Sequence, residues 1–157
     1  MAVLATDLKL FKTTSNLGGA ITATQATGGN VFDAFTGDET SAGITEYACV
    51  YVKNEAAQTA LAAKVYVNSE TSHAGVNATI GLGTSAINGS EQTVANKTTA
   101  PTGVTFSEAN GAGSALTIGD IPAGQHKAVW VRMVVGAATA AKNAYTVQVG
   151  IDCDTAE

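Results

Sequence analysis

Charge is scarce in this 157-residue chain: Asp, Glu, Lys and Arg supply 13% of it, about half the share of an ordinary soluble domain. Its surface must therefore be covered largely by Thr, Ser, Asn, Gln, Gly and Ala. Such a surface has little charge repulsion and suits lying against other protein. The eight basic residues are scattered from Lys9 to Lys142 and the net charge is −5, so the electrostatic footprint of a nucleic-acid binder is missing. Long apolar runs are missing as well, and none approaches the ~20 residues that a membrane-crossing helix needs. The start, Met1-Ala-Val-Leu-Ala-Thr-Asp7, lacks the basic and long apolar regions of a secretory signal. Synthesis in the cytosol is expected.

Cysteine and histidine number two each. Cys49 lies inside an apolar alternation and reads as a small buried residue. Cys153, in the tail Asp152-Cys-Asp-Thr-Ala-Glu157, could pair with Cys49 or with another subunit. His73 and His126 have no partner at metal-ligand spacing and read as surface or strand-edge side chains. The acid pairs Asp38-Glu39 and Asp152/Asp154 lack the regular oxygen donors and glycine of a calcium loop, so solvated carboxylates are expected. Gly81-Leu-Gly83 is a strand-end turn rather than a phosphate loop, and no serine stands in G-x-S-x-G. The glycosylation-type triplets at Asn77, Asn88 and Asn96 read as chance in an Asn- and Thr-rich chain. Tyr47, Tyr51, Tyr66 and Trp130 fall in strand patterns, which favours core packing over stacking on sugars. No catalytic, cofactor-binding or metal-binding set is nominated, and an enzyme is not expected.

What the chain does contain is β-branched runs punctuated by Gly, Asn, Ser and Thr. Its strongest segment is Ile121-Pro-Ala-Gly-Gln-His-Lys-Ala-Val-Trp-Val-Arg-Met-Val-Val135, a turn feeding a strand buried on both faces. Residues 45–54 alternate cleanly, with Tyr47, Cys49 and Tyr51 on one side and Ala48, Val50 and Val52 on the other. A turn over 54–59 then leads to a strand with Leu61, Ala63, Val65 and Val67 inward, and the pair is expected to form a hairpin. Residues 60–64 are compatible with helix, but Val65-Tyr-Val67 favours strand. Shorter strands are expected at 8–11, 79–83, 104–106 and 115–118, and a half-buried one at 145–151. Leu17-Gly-Gly-Ala-Ile21 and Thr27-Gly-Gly-Asn30 read as turns, 84–101 as a polar stretch, and Val31-Phe-Asp-Ala-Phe35 as a short strand or one helical turn. Only 55–63 and 136–143 have room for a short helix.

The spacing predicts an all-β chain, a single antiparallel β-sandwich or jelly-roll-like domain of about eight strands with little helix. Residues 1–12 read as an N-terminal arm with a first short strand, and 13–157 as the sandwich. The arm is expected to be able to add a strand to a neighbour's sheet.

The run Ala86-Ile-Asn-Gly-Ser-Glu-Gln-Thr-Val-Ala-Asn96, with Thr99-Ala-Pro-Thr-Gly-Val-Thr-Phe106 and Ile121-Pro-Ala-Gly-Gln-His-Lys-Ala-Val-Trp-Val-Arg132, resembles virion structural proteins of tailed bacteriophages. Ser15-Asn-Leu-Gly-Gly-Ala-Ile21 and Glu46-Tyr-Ala-Cys-Val-Tyr-Val-Lys-Asn54 look like parts of the same family, so the likeness spans about residues 8–151. It implies a particle component without a cofactor. The expected role is a capsid decoration (cement) protein on the outer face of the major capsid protein, often a trimer. The alternatives are a tail-tube or head–tail joining subunit and, from another class, a carbohydrate- or receptor-binding module using Tyr66 and residues 84–101.

Overall fold

A computed structural model describes residues 3–27, 31–140 and 145–154. It contains eight strands: β1 Leu8–Thr13, β2 Ile21–Gln25, β3 Ile44–Asn54, β4 Ala60–Glu70, β5 Val76–Leu82, β6 Leu116–Ile121, β7 His126–Val135 and β8 Val147–Asp154. One short helix, α1 Gly37–Ala42, precedes β3, and single 3-10 turns occupy Ala5–Asp7 and Ala112–Ser114. Five strands form one sheet in the order β2-β1-β3-β7-β5, and three form the other in the order β6-β4-β8. All the pairings between strands are antiparallel, so the chain is an all-β sandwich.

The middle of the larger sheet follows from its sequence. β3 and β7 pair without interruption from Ile44 opposite Val135 to Lys53 opposite His126. Because side chains alternate along a strand, each of these doubly apolar strands feeds two cores. Val50, Val52, Val129 and Val131 join Ile80 and the β4 residues Ala60, Ala63, Val65 and Val67 in the core between the sheets. Cys49, Tyr51, Ala128 and Trp130 face the other way and pack with Phe11. Among the described residues no second sheet covers that outer face. The connection between β5 and β6, residues 83–115, folds over it and contributes Val94, Val104 and Phe106.

This cover is fitted closely to the sheet. A methyl group at Gly81 would stand 2.6 Å from the Thr105 carbonyl oxygen and 2.6 Å from Val104, so only a bare backbone lets the cover approach. Ser107 and Ile80 exchange backbone hydrogen bonds of 2.9 Å in both directions. Arg132 reaches out of β7, bonds Thr79 through Nε at 2.9 Å and lies 4.9 Å over the Phe106 ring.

Several expectations are corrected. The N-terminal arm is no arm over its described part: Val3 is buried in the inter-sheet core. β1 is an interior strand with both edges taken, by β2 and β3, and has no edge to offer a neighbour. The expected hairpin of β3 and β4 is not formed. Residues 55–59 carry the chain from one sheet to the other, since a five-residue link can arch between layers as easily as it reverses within one. Leu61 is not inward: Ala62 adopts a φ of 46°, the register with β6 shifts there, and Ala60 and Ala63 take the buried positions.

β2 was not expected where it lies, because Ile21-Thr-Ala-Thr-Gln25 carries one large apolar residue. Residues 31–35 form neither strand nor helix. Residues 104–106 pack as cover rather than as a strand. Neither 55–63 nor 136–140 is helical, while 141–144 lie outside the described residues, as do 28–30 of the expected turn Thr27-Gly-Gly-Asn30. The one helix is set by Thr36, whose hydroxyl accepts from the Glu39 N–H at 3.2 Å while Glu39 Oε2 accepts from the Thr36 N–H at 2.7 Å.

Candidate functional site

β1 runs alongside β3 only as far as Lys12 opposite Val50. Beyond that point the exposed amides of β3 are taken by two loops. Cys49 N–H donates to the Asn16 carbonyl at 2.7 Å and Tyr47 N–H to the Lys97 carbonyl at 2.7 Å. Along this stretch of strand lies a pocket of about 310 Å³. Leu17, Val31, Phe32 and Tyr47 give it apolar and aromatic walls, and Asp33, Glu46 and Lys97 give it charge.

Glu46 is the unusual member. It is a strand residue with 0% of its surface exposed. The Lys97 ammonium stands 2.6 Å from its Oε1 and 3.1 Å from Glu39 Oε1. The approach to Glu46 is short but poorly directed for a hydrogen bond. Oε2 of Glu46 has no hydrogen-bond partner among the described residues. Burial raises the Glu46 pKa above the usual carboxylate value, Lys97 opposes this, and Glu39 and Asp33 push the same way as burial. The two carboxylates raise the Lys97 pKa in turn, Glu46 more than Glu39.

A second buried acid, Glu91, sits within the cover and is fully engaged. Its Oε1 accepts from the Thr84 N–H and hydroxyl, each at 3.1 Å, and its Oε2 from the Ser85 N–H at 2.9 Å. Its own N–H donates to the Tyr51 hydroxyl at 2.8 Å, and that hydroxyl donates to the Gly19 carbonyl at 2.6 Å. Burial alone would raise its pKa. The donors on Ser85 and Thr84, helped by the nearby Trp130 indole, outweigh this and bring it down to about 2. The indole nitrogen itself makes no well-directed hydrogen bond. Glu91 is thus an anchor for the cover and has no free valence for a ligand.

The residues weighed from sequence fall as follows. Trp130 and Tyr51 are wholly buried, as their strand positions suggested, whereas Tyr66 is half-buried with its ring lying against Gly150 of β8. His126 begins β7 and packs edge-on against Tyr51 at 4.7 Å, and burial lowers its pKa. His73 is half-buried, with its Nδ1 2.8 Å from the Ala74 carbonyl oxygen. Cys49 and Cys153 are both free thiols. Cys49 belongs to the outer core and Cys153 packs against the inter-sheet core, so the sheet separates them and they do not pair within one chain. Burial pushes both thiols away from the reactive thiolate, Cys49 the more strongly.

Asp38 and Glu39 are not a free acid pair, since Glu39 caps α1 and pairs with Lys97. Asp152 and Asp154 are exposed on β8. Asn96 spends its side-chain oxygen on Thr98 and Thr99. Among the described residues no three His, Cys, Asp or Glu side chains come together as a metal site, and no helix is long and apolar enough to cross a membrane. Glu46 was overlooked in the sequence. Its signal was present: an acid at the inward phase of the Ala48, Val50, Val52 alternation.

Comparison of the chain with protein-family models, curated proteins and solved structures returned no match.

Proposed function

We propose that the protein is a structural component of a tailed-bacteriophage particle, and that its role there is capsid decoration. It would sit as an oligomer, with a trimer favoured, on the outer surface of the major capsid shell and stabilise the head. The resemblance of residues 86–106 and 121–132 to such virion proteins suggests the class, and the scarcity of charge suits extended contact with other protein.

One observation carries the reading. β2 is an edge strand of the larger sheet, and its Ala23, Thr24 and Gln25 are exposed. Natural sheets guard such edges with Lys, Pro or inward charges, because unpaired amides invite another chain. Ile21-Thr-Ala-Thr-Gln25 has none of these guards. The edge is short and irregular, with the Thr24 N–H turned onto Thr22 Oγ1 at 3.2 Å, but it carries no charge to repel a neighbour in a lattice. Repetition over a shell turns individually modest contacts into durable attachment. The β2 edge takes over the role expected of the N-terminal arm.

The tail-tube alternative leaned on a long hairpin from β3 and β4, and these strands lie in different sheets. The glycan-binding alternative leans on Tyr66, which is half-buried with its ring lying against its cross-strand partner Gly150. The test is a count of copies in purified particles by quantitative mass spectrometry, with cryo-electron microscopy to locate them. Many copies on the head surface are expected, and Thr24→Pro should reduce their occupancy. Absence from the particle, or a handful of copies at the tail tip, overturns the proposal.

A further inference from the structure

We propose that the Glu46 pocket is a binding site for a guanidinium or ammonium group carried on an alkyl stem. The inference stands on the pocket alone and does not depend on a place in a virion.

A buried carboxylate is strongly disfavoured unless its oxygens are paired, and the usual remedy is a full set of hydrogen bonds. Glu91 shows that this fold can supply such a set. Glu46 lacks one: it is a wall residue of the pocket, and its Oε2, shielded from solvent, is unpartnered among the described residues. The charge around it is also unbalanced. Lys97 is shared between Glu46 and Glu39, and Asp33 on the pocket wall adds a further negative charge that Glu46 feels. Three carboxylates against one ammonium leave room for a second cation.

The walls indicate what kind of cation. Phe32 and Tyr47 bring aromatic rings of the sort that attract organic cations, and Leu17 and Val31 bring apolar surface for a hydrocarbon stem. No three metal-ligating side chains converge among the described residues, so the donor set suits a hydrogen-bonding organic head rather than a bare metal ion. A volume of about 310 Å³ is at the small end for ligand pockets and is of the right order for one such side chain. The group could arrive as a free small amine or guanidine, or as a basic side chain on a protein partner. The recognition chemistry is shared.

Isothermal titration of the full chain at low salt separates these cases with three probes. Agmatine represents the free guanidine, N-acetyl-arginine amide represents a side chain, and N-acetyl-citrulline amide is the neutral isostere. Saturable one-to-one binding of a cationic probe is expected, with the citrulline compound much weaker. Preference for agmatine indicates a free small molecule, and preference for the arginine amide indicates a protein side chain.

Glu46→Gln should weaken binding about tenfold or more. Asp33→Asn, at an exposed position that does not threaten folding, should weaken it about threefold, and Lys97→Met, which removes the competing cation, should tighten it. Failure of both cationic probes to bind overturns the proposal. So does equal binding of the neutral isostere, or an affinity unchanged in both Glu46→Gln and Asp33→Asn.

Discussion

Glu91 and Glu46 are each almost wholly shielded from solvent, at 4% and 0% exposure, yet their carboxyl groups are displaced in opposite directions. Burial acts the same way on both. The difference lies in the company each keeps. Glu91 collects directed donors from Thr84 and Ser85, which favour the charged form more than desolvation penalises it. Glu46 has one close cation, badly aimed, and two acidic neighbours. A buried acid with a complete shell is part of the scaffold, whereas one with an incomplete shell marks a place where something else can bind.

The strongest way to break this comparison is to remove the floor on which the Glu91 anchor rests. Trp130→Ala should cost about 3–5 kcal/mol in denaturant unfolding, because its ring fills the outer core under the cover. A loss below about 1 kcal/mol would mean that the cover seals nothing.

Glu91→Gln is next, at about 2–3 kcal/mol, since charge-assisted bonds to Thr84 and Ser85 would be replaced by neutral ones. The pH dependence sharpens the assignment. Glu91 falls from the ordinary 4.5 to about 2 on folding. Its stabilisation, of order 3 kcal/mol, is therefore complete above pH 4.5 and is lost as pH drops from there toward 2. In Glu91→Gln that acid loss should largely vanish. A separate decline beginning below about 6.5 should survive in the variant, because burial lowers the His126 pKa and unfolding frees that ring to take up a proton.

The smallest effect is expected at the other acid. Glu46→Gln should change stability at neutral pH by less than about 1 kcal/mol, since it removes a poorly satisfied charge together with a single ion pair. The raised pKa fixes the sign of its pH response. Protonated Glu46 stabilises the fold fully below 4.5, and that contribution fades as pH rises through its folded value. A large loss in Glu46→Gln at neutral pH would show Glu46 to be a second anchor, and the contrast with Glu91 would collapse.

The strand content of this molecule was legible wherever alternation is strict and uninterrupted. β3, β7 and the apolar face of β8 all follow from local sequence, as does the Pro122–Gln125 turn, where Gly124 adopts a φ of 73°. Legibility failed where one residue changes the phase. Ala62, a residue with no special turn propensity, takes a left-handed conformation and hands the buried position from Leu61 to Ala60 and Ala63. It failed again where a choice is purely spatial, since nothing local decides whether residues 55–59 close a hairpin or bridge two sheets. The pocket divides similarly. Glu46 could have been found as an acid at an inward position of an apolar strand. Glu91 could not, because its burial depends on Tyr51, Trp130 and Gly19, all remote in sequence.

The place of β7 has a consequence for how the chain is born. β5 finds its sheet partner only in β7, and β3 likewise needs β7 to fill its far side. A ribosome emitting this polypeptide therefore releases two sticky ribbons, residues 44–54 and 76–82, well before the wedge that unites them. Until residue 135 has emerged the larger sheet stays split, and the nascent product must be kept from its siblings through that interval.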